Sequence, residues 1–395
     1  MISVAEARAI ILAHMTATST EEIALDSCFG RTLAAPVIAS RAQPPFHASA
    51  MDGYAVRSAD TPGRLRLVGE AGAGHALGKP LTAGECARIF TGAPLPAGAD
   101  AIAIQEEVTR DGAIVTTPAV AVGKHVRVPG VDFTAGTILL ERGAALGGSQ
   151  LAVAAAAGRA ALTVARRPRV TILGGGDEIV PPGAAARPDQ IFDSASFGVA
   201  GLAQSWGAAS ERGPLLRDDP GLITAAMETA AATSDVIVLI GGASVGDHDH
   251  ARRAVEALGA KILFDKVSLR PGKPTWFALH GDRLILGLPG NPGSALVTAR
   301  LFLCPLITAM LGGDYARVVK TERARLAAPL PANGAREAYL RARTSIDDEG
   351  RLRVSAAANQ DSSLISVFAD ADALIVCPAD SAARKSGEFA DALRI

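Results

Sequence analysis

DVIVLIGGASVGDHDH, residues 235–250, decides the fold class. Val236 to Ile240 are all apolar and mostly β-branched, the composition of a strand covered on both faces. The glycine pair that follows ends the strand, and a helix is expected over 250–258. Working outward, RVTILG (169–174) reads as a second buried strand, and 261–269 and 283–288 are strand-like. Helices are expected over 197–206 and over 220–233, where Pro220 suits a first helical turn. Another helix starts after Gly290, with Asn291 as N-cap and Pro292 at its first position. Strand and helix alternate from 169 to 315, which predicts a doubly wound parallel α/β sheet with helices on both faces.

The flanks read differently. Ser3 and Glu6 have capping-box spacing ahead of a helix over 4–15, and 32–38 is strand-like. RAQPPFHASAMDGYAV (41–56) is an irregular loop, and from 65 to 107 short apolar runs alternate with Gly/Pro turns, the pattern of a small β-rich domain. Beyond Gly312 the helical period is lost. Short alternating segments such as 352–356 and 373–378 predict a compact C-terminal β domain.

The 395 residues are 49% hydrophobic and 20% charged, enough for several cores and too apolar for disorder. A net charge of −1 gives no global basic field, so no nucleic-acid partner is expected and any anion site must be local. Cys28, Cys86, Cys304 and Cys377 are scattered without a CxxC pair, as buried thiols in a reducing compartment would be. The capped first helix is no signal peptide, and the Ala-rich stretch 146–164 is broken by Gly158 and Arg159. A cytoplasmic protein that spans no membrane is expected.

Ligands of open parallel sheets bind beyond the carboxyl ends of the strands. Three segments fall there: GGGDEI with Asp177 and Glu178, GGASVGDHDH, and GLPGNPGSA (287–295) with Pro289, Pro292 and Ser294. In the second, Gly241, Gly242 and Gly246 let backbone N–H groups form an anion nest, and Ser244 adds a hydroxyl. Asp247 and Asp249 beside such a nest call for a cation such as Mg²⁺, which takes one or two carboxylates plus phosphate oxygens. Alone, the segment reads equally well as a glycine turn capped by aspartates. His248 and His250 lack a third ligand and read as an exposed helix start rather than a transition-metal site. A fourth segment, KVSLRPGKP (266–274), sets Lys266, Arg270 and Lys273 around a Pro-Gly turn, suited to a tetrahedral dianion. Singly it is a solvated basic turn. Together the four describe a site for a phosphate-bearing anion with a divalent metal.

SAMDGYAV (49–56), RIFTGAPLPAGADAI (88–102), GDE (176–178), GGASVGDHD, RPGKP (270–274), GLPGNPGSA and ANQDSSLIS (358–366) resemble, in order, the molybdopterin molybdenumtransferase (MoeA) family, to which the E domain of gephyrin also belongs. MDGYA followed by TGAP is highly specific, whereas GGxSxGD also marks the smaller adenylylating enzymes of the pathway. The resemblance implies an elongated linking domain (1–40 with 136–168), an inserted β-rich domain (41–135), a catalytic α/β domain (169–315) and a C-terminal β barrel (316–395). It further implies a homodimer in which Asp52 and Thr91 of one subunit face the other's crevice. The family's acidic positions fall on Asp52, Asp132, Glu178, Asp218 and Asp249, and Lys266 matches a catalytic lysine. Arg270, Lys273, Ser294 and Ser362 match oxyanion-binding positions, joined by either Arg336 or Arg341 of REAYLR. The family's Ser-Thr before GDE is Gly174-Gly175 here, its turn Asn is Ala195, and Arg270 stands where several members carry Lys.

The implied reaction inserts molybdate into adenylylated molybdopterin and releases AMP, with Mg²⁺ or another divalent cation held by Asp249 and Asp218. Arg270 and Lys273 would hold molybdate, while Glu178, Asp52 and Lys266 would handle protons or orient ligands. Expected partners are a molybdopterin adenylyltransferase and molybdoenzyme apoproteins or chaperones. Two rivals are a molybdopterin adenylyltransferase, which needs only the α/β domain, and a non-catalytic gephyrin-like scaffold, which has no use for five carboxylates.

Overall fold

The computed structural model describes residues 1–242 and 250–395. Its central sheet runs in the order Ala209–Arg212, Arg169–Gly174, Val236–Ile240, Arg283–Leu288, Trp276–His280 and Lys261–Phe264. The first four strands are mutually parallel, as expected, whereas Trp276–His280 runs antiparallel to both of its neighbours, Arg283–Leu288 and Lys261–Phe264. Trp276–His280 is a strand the sequence pattern did not disclose. A two-residue turn at Gly281-Asp282, with Gly281 at φ +55°, folds it back against Arg283–Leu288. The run over 261–269 is likewise not one strand. It stops at Phe264, and Leu269–Arg270 leaves to pair with the C-terminal domain.

Both faces of the inner strands are buried, which is why Arg169–Gly174, Val236–Ile240 and Arg283–Leu288 read as apolar runs. Val236, Val238 and Ile240 pack with the helices Ala195–Ser205 and Pro292–Thr298, whereas Ile237 and Leu239 pack against the helices Pro220–Thr233 and His250–Ala257. The capping box at Ser3 and Glu6 is formed, and the helix it starts, Val4–Ala13, buries Val4, Ala7 and Ile11 on the first of these cores. The stretch 146–164 divides into the helix Gly148–Ala156 and the strand Ala161–Ala165.

The long helix over Pro292–Met310 has the length and apolarity of a membrane span, but 89% of its apolar window is buried inside the protein. It widens to π geometry over Ala299–Leu303. Pro305 has no N–H to give the Leu301 carbonyl, and the Arg8 Nε donates to that oxygen instead at 3.4 Å.

The N-terminal region holds a six-stranded sheet in the order Ala101–Ile104, Gly53–Val56, Glu85–Ile89, Gly63–Ala71, Ile114–Thr117, Thr109–Asp111. At the C-terminal end Glu337–Ile346, Leu352–Ala356, Glu322–Leu326, Phe389–Arg394 and Ala373–Cys377 close into a five-stranded barrel, because the first also pairs with the last. Leu269–Arg270 adds a sixth strand, parallel to Glu337 and Ala338. From the other side the Ile2 N–H donates to the Lys266 carbonyl at 3.3 Å, and the Ser268 N–H to the Ile2 carbonyl at 2.7 Å. The four cysteines are free and buried, and burial pushes the Cys304 thiol up to about 12.

Candidate functional site

Gly174, Ile240 and Leu288 lie side by side where three parallel strands end. The segments that leave them line a cleft of about 370 Å³, which brings together Glu178, Asp218, Gly241, Gly242 and Pro292 of the expected site residues. Gly241 and Gly242 adopt φ of +87° and +68°, which side-chain-bearing residues rarely take. The floor is backbone against backbone: a Cβ on Gly290 would lie 3.4 Å from the Gly241 Cα. Such a floor lets a ligand approach the main chain without intervening side chains, while the Gly241 N–H itself donates to the Leu288 carbonyl at 3.1 Å. Pro289 is buried beneath it.

Gly175 explains one departure from the family pattern. A Cβ there would sit 2.1 Å from the Leu216 carbonyl oxygen, so no threonine fits in this chain. The close approach lets the Gly176 N–H donate to Leu216 O at 2.9 Å and the Leu216 N–H to Gly174 O at 3.0 Å. That pairing draws the segment carrying Asp218 to the rim of the cleft. Glu178 folds back over Gly176, where an added Cβ would meet its carboxylate at 2.4 Å. Ser244, Gly246 and Asp249 lie outside the described residues.

Phe192 and Asp193 also line the cleft and were not singled out from sequence. Phe192 is half-exposed. Asp193 is buried, accepts from both the N–H and the hydroxyl of Ser196, and has Arg212 at 3.8 Å. The DS dipeptide before a helix start was their only signal.

A second group gathers on the other side of the Pro292 helix start. A Cβ on Gly293 would lie 2.7 Å from the Ser362 carbonyl oxygen and 2.8 Å from the Arg341 Nη1, so glycine lets the 358–366 segment rest directly on the first helical turn. The Asn291 side chain donates to the Ser362 hydroxyl at 2.7 Å, and Ser294 is buried beside them. Arg341 is fully buried, with its Nε on the Gln360 Oε1 at 3.1 Å and its Nη1 on the Asp361 carbonyl at 3.0 Å. Its Nη2 has no partner among the described residues. Burial lowers the Arg341 pKa, and the nearby Asp361 works against that shift. Arg336 instead spends its Nη1 on the Leu269 carbonyl at 3.2 Å. Of the two arginines left open by sequence, Arg341 is the one beside Ser294 and Ser362.

The basic turn packs on the same helix. Gly272, at φ +122°, would with a Cβ meet the Thr298 methyl at 2.4 Å, one turn beyond Ser294. Arg270 and Lys273 are exposed at its sides. Arg270 donates to Asn333 Oδ1 at 3.3 Å and lines a separate recess of about 570 Å³ with Pro271, Tyr339 and Gln360. Lys266 is exposed and belongs to the lining of neither cavity.

Asp52, Thr91 and Asp132 are also absent from the lining of the cleft. The Asp52 Oδ1 accepts from both the N–H and the hydroxyl of Thr91, each at 2.8 Å. These two hydrogen bonds hold the Asp52 carboxyl below the usual aspartate range. His125 sits in the left-handed region at φ +61°, and its carbonyl accepts from the Ala50 N–H at 2.9 Å, bracing the loop before Asp52. Asp132 is exposed on a neighbouring loop, its N–H on the Gln43 carbonyl at 3.0 Å. Among the described residues no group of three or more His, Cys, Asp or Glu side chains is arranged to hold a metal.

Fold and site together define a multidomain α/β plus β protein with a glycine-floored crevice at the carboxyl edge of a doubly wound sheet. Comparison with known proteins makes the class specific. Residues 2–158 match the MoeA N-terminal region (domain I and II), 171–309 a probable molybdopterin binding domain, and 323–395 the MoeA C-terminal region (domain IV). A molybdopterin molybdenumtransferase of Haemophilus influenzae is 31% identical over 393 residues, covering 98% of this chain and 97% of that one. One from a Nostoc species is 36% identical over 334 residues, 81% of this chain and 76% of the relative. The crystal structure of a molybdopterin biosynthesis MoeA protein from Pyrococcus horikosii superposes with a TM-score of 0.85 at 29% identity, covering 100% of this chain and 99% of that one. The chain belongs to the MoeA family of molybdopterin molybdenumtransferases.

Proposed function

We propose that this chain inserts molybdate into adenylylated molybdopterin and releases AMP, completing the molybdenum cofactor. One observation carries the reading: the Pro292 helix start separates a glycine-floored cleft rimmed by Glu178 and Asp218 from a buried guanidinium and two serines. The first suits a phosphoanhydride. The second, with Arg341, Ser294 and Ser362, suits a tetrahedral oxyanion, which Lys273 and Arg270 would help to neutralise from the adjoining turn.

Glu178 and Asp218 are hard oxygen donors on one rim, the chemistry that suits a Mg²⁺ ion keeping water and phosphate oxygens in its remaining positions. Asp218 and Asp249 would hold the ion, which supplies charge neutralisation as the anhydride opens. Glu178, Asp52 and Lys266 would move protons or orient the ligand, and Gly242, Ser244 and Gly246 would bind phosphate through N–H and hydroxyl donors, Gly241 keeping its N–H on the Leu288 carbonyl and giving the close backbone approach.

Asp52, Thr91 and Asp132 stand apart from the cleft of their own chain, which supports a homodimer whose inserted domain, 41–135, completes the neighbour's site. The remaining division is 1–40 with 136–168 as the linking domain, 169–315 as the catalytic domain and 316–395 as the barrel. The enzyme would work in the cytoplasm, between a molybdopterin adenylyltransferase and the apoproteins or chaperones that take the cofactor.

Release of AMP from purified adenylylated molybdopterin, followed with and without molybdate and Mg²⁺, tests this. Molybdate-dependent AMP release with activation of an apo-molybdoenzyme is the expected result. ATP consumption with unadenylylated molybdopterin would instead make the chain an adenylyltransferase. No turnover of either substrate would leave a scaffold.

A further inference from the structure

The outer wall of the C-terminal barrel carries arginines that no carboxylate among the described residues pairs with. On Glu322–Leu326, Ala324 and Leu326 fill the barrel core, so Arg323 and Arg325 point outward. Arg353 stands opposite Arg325 on one side, and Phe389 opposite it on the other. Arg353, Arg325 and Phe389 thus form one row across three strands, flanked by the exposed Arg323 and Arg343. The Arg323 and Arg325 guanidinium carbons lie 4.3 and 4.6 Å from the Phe389 ring centroid, yet Phe389 remains 45% exposed.

Like charges directly opposite on neighbouring strands destabilise a sheet. Two other arginines of this barrel are neutralised: Arg351 pairs with Asp347 and Glu349, and Arg394 with Glu322 and Asp372. Among the described residues no carboxylate lies within ion-pair distance of Arg323, Arg325, Arg343 or Arg353, and Asp391, opposite Arg323 in register, forms no ion pair with it. Among the described residues the one side-chain hydrogen bond of Arg325 runs to the Gly387 carbonyl at 3.0 Å. A cationic row built around an exposed aromatic, maintained against its own repulsion, is complementary to negative charge beside an apolar group.

We infer that this wall docks an acidic segment of a partner protein that carries at least one apolar side chain. A membrane surface would require several apolar side chains to insert, and the row of Arg353, Arg325 and Phe389 offers one. Glu388 and Asp391, exposed on either side of Phe389, would repel a continuous phosphodiester backbone but leave room for spaced carboxylates.

Fluorescence anisotropy of the full-length protein with a labelled polyglutamate peptide carrying a single phenylalanine tests this. The wild type should bind, and Arg325→Glu combined with Arg353→Glu should weaken binding at least about tenfold while leaving AMP release unchanged. Arg64→Glu, on the N-terminal sheet, should leave binding unchanged. Phe389→Ala should weaken it about threefold, and that loss should vanish when the phenylalanine of the peptide is replaced by serine. Absence of wild-type binding, or equal binding by the double variant, overturns the inference. So does arginine-dependent binding of a single-stranded oligonucleotide or of phosphatidylglycerol vesicles as tight as that of the peptide. Should the double reversal fail to fold, Arg325→Ser is read in the same assay, with the same direction expected.

Discussion

Asp52 receives two hydrogen bonds from one residue, so its protonation is governed by Thr91. A carboxyl held below its usual range stays ionised to lower pH, and an activity that needs the ionised form keeps its acid limb low. Thr91→Val removes the hydroxyl donor but keeps the N–H, so the Asp52 pKa rises and the acid limb of AMP release should move to higher pH. An unmoved limb would show that another group sets it. Lys273 makes a second prediction at this scale. A charge-assisted contact to an oxyanion contributes about 1.5–3 kcal/mol, so Lys273→Ala should raise the molybdate concentration for half-maximal turnover by about tenfold or more. Affinity for the adenylylated pterin should change much less. The reverse pattern in molybdate and pterin titrations would mean that the turn holds the organic ligand.

The Pro292 helix start acts as a unit because Gly293 leaves no gap between it and the 358–366 segment. Gly293→Ala puts a methyl 2.7 Å from the Ser362 carbonyl oxygen, so the segment must retreat from the helix. The expected cost is about 1–3 kcal/mol in denaturant unfolding, together with a weaker response to molybdate. Unchanged stability with normal molybdate dependence would mean that the segment yields freely. The helix itself was legible in the sequence, since Asn291 and Pro292 mark its start, and so were the strands ending at Gly174 and Ile240, whose two buried faces demand apolar runs. Trp276–His280 was not legible, because an antiparallel strand reached by a two-residue hairpin is defined by its partner more than by its own pattern. The choice between Arg336 and Arg341 was hidden for a related reason. Arg341 and Arg343 share one phase of the same strand, and only the helix start lying over the barrel buries the first and leaves the second exposed.

Asp52, Thr91 and Asp132 do not line the cleft of their own chain, and the proposed homodimer turns that into a demand on the assembly. If Asp52 serves the neighbouring subunit, an Asp52→Ala chain and an Asp249→Ala chain should complement each other, and mixed dimers should recover about one working site in two. Verified heterodimers no more active than either parent would confine each site to its own subunit. The family's segments meet in linkers near 159–170 and 310–322, yet the hydrogen bonds do not stop there. Leu269–Arg270 is a strand of the C-terminal sheet, and Ile2 holds the residues just before it. Amide exchange should register this directly: the Glu337 N–H, which donates to the Ser268 carbonyl, can open only when the basic turn and the barrel part company. The α/β unit and the barrel are therefore expected to exchange as one cooperative block along this seam, and a barrel expressed by itself would expose the edge that Arg270 covers.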